Sequence, residues 1–133
     1  MSSTARKVAT VALVVRDYDE AVAWYVEKLG FALLEDVDLG AGKRWVTVGP
    51  AGGNGARLLL AQAKDEAELA RIGDQTGGRV FLFLETDDFA RDHAAMQAAD
   101  VEFREAPRHE AYGSVAVFAD LYGNLWDLIE PRR

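Results

Sequence analysis

The sequence predicts an α+β fold, with two βαβββ modules in tandem forming a curved, mostly antiparallel sheet around a concave cup. Three observations predict it. "VALVVRDYDEAVAWYVEKLGF" at residues 11–31 and "VFLFLETDDFARDHAAMQAADVEF" at residues 80–103 both read as an apolar strand, an acidic stop, a helix and a new strand. After each helix come three short β-prone runs broken by turn residues. The unit also occurs twice, which suits two paired modules, whereas a stacked repeat array needs three or more.

Residues 8–15, "VATVALVV", are rich in β-branched residues and read as a buried strand. Asp17 followed by Glu20 resembles a capping-box start, and Tyr18, Val22, Tyr25 and Leu29 recur at helical spacing. Gly30 is the expected helix stop. "FALLEDVDL", "RWVTVG" and "ARLLLAQ" are the next strands, with "AGK" and "PAGGNG" as turns. The first module therefore spans 8–62. In the second module, 79–130, "RVFLFLE" is the strand and Asp88 takes the place of Asp17. Phe89, Met96 and Ala99 supply an apolar helix face, and "VEFREA", "SVAVFAD" and "LWDLIE" are strands. The linker 63–78, "AKDEAELARIGDQTGG", reads as a short exposed helix and a Gly-rich connection. The whole chain, 1–133, is expected to be one domain.

The bulk numbers suit that reading. A chain of 133 residues, half of them hydrophobic and 28% charged, can bury a real core. The absence of cysteine removes disulfides and thiolate metal sites. "MSSTARK" does not resemble a signal peptide, and no apolar run reaches the roughly 20 residues of a membrane helix. A cytoplasmic protein without a membrane partner is expected. With 22 acidic and 15 basic residues the net charge is −7, which argues against nucleic acid as a partner and suits a neutral or cationic small ligand.

Strand alternation assigns faces. Val11, Leu13 and Val15 oppose Thr10, Ala12 and Val14. Leu82 and Leu84 oppose Phe81, Phe83 and Glu85, while Trp126 and Leu128 oppose Asp127 and Ile129. The aliphatic sets are expected under the helices. Thr10, Phe81, Glu85 and Asp127 are then expected together on the uncovered side, where a carboxylate amid Phe and Ile needs a partner or water.

This pattern resembles the vicinal oxygen chelate superfamily, which includes glyoxalases, bleomycin-resistance proteins and extradiol dioxygenases. The features that carry the resemblance are the two modules, the helix ending "KLGF" and the final "DLYGNLWDLIEP". It covers nearly the whole chain and implies the glyoxalase/bleomycin-resistance fold. Metal-dependent members of that group place a histidine seven residues before the acid of each module. These positions hold Thr10 and Phe81 here, and only Asp127 falls on the carboxylate position of the last strand. The resemblance thus implies a small-molecule binder without the usual metal site and with no cofactor. The alternative is a metal-dependent lyase, isomerase or dioxygenase whose divalent metal is held by relocated ligands, Asp127, Glu85 and His109.

The ligand-binding candidates are Thr10, Trp45, Phe81, Phe83, Glu85, His109, Tyr112 and Asp127. Trp45 offers an aromatic wall in the first module. His109 and Tyr112 lie in "APRHEAYGS", read as a loop overhanging the cup, where an imidazole can act as base or hydrogen-bond a ligand. Glu85 and Asp127 are either a carboxylate pair or are each neutralised by an arginine such as Arg79 or Arg57. No catalytic residue is assigned. The resemblance further implies a homodimer, with the flank of the first helix near Trp24 as one candidate surface.

Overall fold

The computed structural model describes residues 5–132. The first module comprises β1 (Thr10–Val15), α1 (Tyr18–Leu29), β2 (Phe31–Gly40), β3 (Lys43–Pro50) and β4 (Arg57–Gln62). A single turn, α2 (Glu66–Leu69), lies in the connection. The second module comprises β5 (Val80–Glu85), α3 (Phe89–Ala98), β6 (Glu102–Phe103), β7 (Arg108–Glu110), β8 (Gly113–Ala119) and β9 (Leu125–Pro131). The strands form two sheets, one per module, ordered β1-β4-β3-β2 and β5-β9-β8-β6, with β7 beside β8. In each, the first strand pairs in parallel with the last (β1 with β4, β5 with β9), and the other pairings are antiparallel.

The helices start and stop where local chemistry requires. Asp17 accepts a hydrogen bond from the Glu20 amide at 2.8 Å, and Asp88 accepts one from the Arg91 amide at 3.1 Å. Each carboxylate satisfies an amide that has no partner inside its helix. At the end of α1, Gly30 takes the left-handed conformation (φ 70°) and its amide returns to Tyr25 and Val26 carbonyls, a position glycine fills without steric cost.

One apolar core spans both modules. Leu13, Val15, Tyr25, Val48, Leu60, Phe118 and Leu128 are fully buried in it, and burying side chains of this kind stabilises by about 1.5–3 kcal/mol each. Tyr25 joins the two halves: its ring lies 5.7 Å from Phe31 and 6.0 Å from Trp126, and its hydroxyl donates to Asp120 at 2.7 Å. Burial, and then the Asp120 charge, push the Tyr25 phenol well above its ordinary pKa. Trp24 is partly buried and packs against this core edge-on to Tyr25. The connection is docked as well. Gln75 accepts from the Val14 amide, and its own amide donates to Asn124. Gly73 is required there, because a Cβ would come within 2.1 Å of the Tyr122 carbonyl oxygen.

Two local departures from strict alternation matter. The β2–β3 register shifts between Leu33 and Glu35, so Glu35 comes opposite Thr47. The β5–β9 register shifts between Val80 and Leu82, and the Phe81 ring lies edge-on to Trp126, against the core. In both places one extra residue resets which side the following residues face.

Candidate functional site

Each sheet turns one face to the helices and the core, leaving the other open. In the second module the helix-side row holds Leu82 beside Trp126 beside Phe118, and the open-side row holds Phe83 beside Asp127 beside Val117. Trp126 is buried, whereas Phe83 is 63% exposed. One step along, Glu85, Ile129 and Val115 are side by side. Asp127 and Glu85 therefore lie opposite Leu82 and Trp126, as alternation predicts. Phe81 does not join them, because the register shift turns its ring toward Trp126. Thr10, level with Arg57, alternates with Val11, which packs against the core.

The Asp127 carboxylate has an unusual setting. Its Oδ1 is buried and meets no hydrogen-bond partner among the described residues. Burial raises its pKa above the ordinary value of 3.8, with the Arg108 charge opposing this and the Glu105 charge adding to it. The nearby Arg108 is engaged by Glu105, which also takes the Val117 amide. Arg108 Nε donates to Glu105 Oε1 at 3.0 Å, Arg108 Nη1 reaches the Tyr112 hydroxyl at 3.4 Å, and the Val117 amide donates to Glu105 Oε2 at 3.0 Å.

The open face of the first module carries a different cluster. Glu35 Oε1 accepts from Trp45 Nε1 at 3.2 Å, Thr47 Oγ1 at 3.1 Å and Arg57 Nη1 at 3.0 Å. Hydrogen bonds from Trp45 and Thr47, and then from Arg57, hold the Glu35 carboxyl below its usual range. Val37, directly opposite Trp45, is half exposed. Arg57 Nη1 is thus bound to Glu35. Between the modules, a cleft of about 600 Å³ is bordered by Val11, Arg57, Leu58, Phe83, Glu85 and Trp126.

His109 departs from its expected place. It stands in β7 rather than in a loop, paired with Ser114, whose Oγ lies 2.9 Å from His109 Nδ1. Its ring is 6.5 Å from that of Phe89, the first residue of α3, whose amide donates to Glu130. Ser114 and Glu130 are themselves paired, so this row lies on the helix side, away from Asp127. A short strand escaped detection because "RHE" has neither β-branched residues nor an apolar face. Tyr112, by contrast, lies at the β7–β8 turn and is linked to Arg108.

The donor set does not fit a divalent metal. Transition metals need several N or O donors converging at about 2 Å. The two expected histidine positions hold a hydroxyl and a phenyl group, and His109 faces the other side from Asp127. Among the described residues no group of three His, Cys, Asp or Glu is placed to hold an ion.

Residues 7–128 match the model of the Glyoxalase/Bleomycin resistance protein/Dioxygenase superfamily. The chain belongs to that superfamily. An uncharacterized protein of Shewanella frigidimarina is 53% identical over 126 residues, covering 94% of this chain and 93% of its own. Two solved structures are similar throughout. UcmS2 has 27% identity, a TM-score of 0.82, and coverage of 96% and 99% of the two chains. TnmS3, an antibiotic binding protein from Streptomyces sp. CB03234, has 29% identity, a TM-score of 0.76, and coverage of 99% and 100%.

Within this superfamily member, the "DLYGNLWD" motif has a structural explanation. Asp120 is buried and accepts from Tyr25, from the Tyr122 and Asn124 amides, from the Asn124 side chain and, at 3.4 Å, from Trp126 Nε1. Its carboxylate ties the turn before β9 to α1 of the other module. The residues that sequence reading missed are Glu35, Glu105 and Arg108. Glu35 follows the β2 bulge, so alternation counted from Phe31 puts it on the wrong face. Glu105 and Arg108 act through contacts across a short, irregular segment that periodicity does not reach.

Proposed function

We propose that this protein binds a small organic molecule on its open sheet faces and does so without a metal. The observation that carries this reading is the exposure of large apolar side chains beside organised polar groups on both faces. Trp45 and Val37 stand by the Glu35 cluster, and Phe83 stands by Asp127. Apolar walls with a few oriented polar groups are the usual composition of a small-molecule site. That TnmS3 is an antibiotic binding protein supports the same class of ligand here.

The protein is further proposed to act as a homodimer. Half-exposed Leu33 and Leu39 leave apolar surface that a second copy covers. Sedimentation equilibrium at micromolar concentration should give a dimer, and a monomer alone would remove this part of the reading.

The binding reading is tested by a thermal-shift screen of planar aromatic compounds, antibiotics included, against the metal-free protein. Compounds that raise the melting temperature should do so less in Trp45→Ala and Phe83→Ala. Stoichiometric divalent metal in the purified protein, removed by chelation together with a lyase or dioxygenase activity, would overturn it.

A further inference from the structure

The arrangement around Asp127 carries the binding reading further, to the chemistry of the ligand. Asp127 Oδ1 is buried on the open face of the second module, between Phe83 on one neighbouring strand and Val117 on the other. A buried carboxylate oxygen without a donor is costly, because it has lost water and gained nothing in return. The nearest cation does not relieve it: Arg108 donates to Glu105 and to Tyr112. Asp127, Glu105 and Arg108 together leave one net negative charge. Phe83 offers an exposed ring beside the carboxylate, and rings of this kind attract cations.

We infer that Asp127 is the anchoring point for a protonated primary or secondary amine attached to an apolar body, with its N–H directed at the accessible edge of the carboxylate and its carbon skeleton against Phe83. The inference rests on the small-molecule reading above and names the chemical class that this face selects. A cationic N–H donor satisfies the carboxylate and neutralises the local charge at once. A quaternary ammonium brings the charge but no donor, an alcohol brings a donor but no charge, and a carboxylate is repelled.

The test uses the full chain, labelled with nitrogen-15, titrated separately with benzylamine, benzyltrimethylammonium, benzyl alcohol and benzoate. The amides of Phe83, Val117 and Asp127 are followed. Benzylamine is expected to give saturable shifts there and the other three probes much weaker ones, a comparison within the wild-type protein that needs no variant. Asp127→Asn, close in shape, should weaken benzylamine about tenfold or more, the loss of one charge-assisted hydrogen bond. Equal affinity for benzylamine and benzyl alcohol, undiminished in D127N, would overturn the amine anchor while leaving a small-molecule face intact. If D127N alters dimerisation and not benzylamine binding, a second copy supplies the donor and the anchor falls. If no probe shifts this face, the amine anchor and the binding reading for this module fall together.

Discussion

The open faces of the two modules present the same kind of surface with opposite treatment of its central carboxylate. Glu35 in the first module receives three hydrogen bonds on one oxygen and is held in its charged form. Asp127 in the second has a buried oxygen with no partner among the described residues, and burial resists its ionisation. The first face is a finished platform, in which the carboxylate sets the positions of an indole and a guanidinium. The second keeps an unmet acceptor. A repeated fold therefore treats its central carboxylate in two ways: one copy satisfies it internally, and the other does not.

The turns before the last strands of the two modules differ in the opposite sense. In the second, Asp120 gathers donors from its own turn, from Trp126 and from Tyr25 across the module boundary. In the first, residues 51–56 form a largely exposed, Gly-rich connection. Asp120→Ala should therefore be the most disruptive of these substitutions, costing about 3 kcal/mol or more, since several buried donors lose their acceptor. Asn54→Ala in the other turn should stay within about 0.5 kcal/mol. Chemical denaturation of both variants checks the contrast, and equal losses would mean that Asp120 is not the knot described here.

The helix caps should behave alike in the two copies. Asp17→Ala and Asp88→Ala should each cost about 1 kcal/mol and leave ligand binding unchanged. A variant that keeps its stability but no longer binds would show that its aspartate acts on ligand rather than as a cap.

The central carboxylates should respond to neutralisation with opposite sign. The Asp127 pKa is raised on folding, so stability falls as pH rises from its ordinary value of 3.8 through the folded value. Asp127→Asn should then raise the melting temperature of the unliganded protein modestly at pH 7. The gain should vanish at about pH 3, where the carboxyl is protonated in both states. The Glu35 pKa is lowered on folding, so its contribution is present above 4.5 and is lost as pH falls through the folded value. Glu35→Gln should lower the melting temperature modestly at neutral pH and match wild type in acid. Melting curves of both variants across this range should show shifts of opposite sign at pH 7. Shifts of the same sign would remove the distinction between the two faces.

Much of the fold was legible in the sequence because it rests on local rules. Asp17, Asp88 and Gly30 declare helix ends through backbone chemistry that acts within a few residues. Period-two alternation placed Asp127 and Glu85 opposite Trp126 and Leu82, since the β5–β9 register runs without a shift from Leu82 onward. The family was legible from the paired modules and the last-strand motif. The candidate site was legible only in part. Tertiary structure decided that Glu35 faces outward, because a bulge before it resets the alternation. It also decided that Phe81 leans on Trp126, that His109 sits beside α3, and that Arg57 belongs to Glu35. These outcomes depend on which strands meet and at what register, and the pairing energy comes from residues far apart in the chain. The unmet oxygen of Asp127 is of the same kind. Aspartate at that position is written in the sequence, but the burial of its Oδ1 without a donor exists only once the sheet has formed.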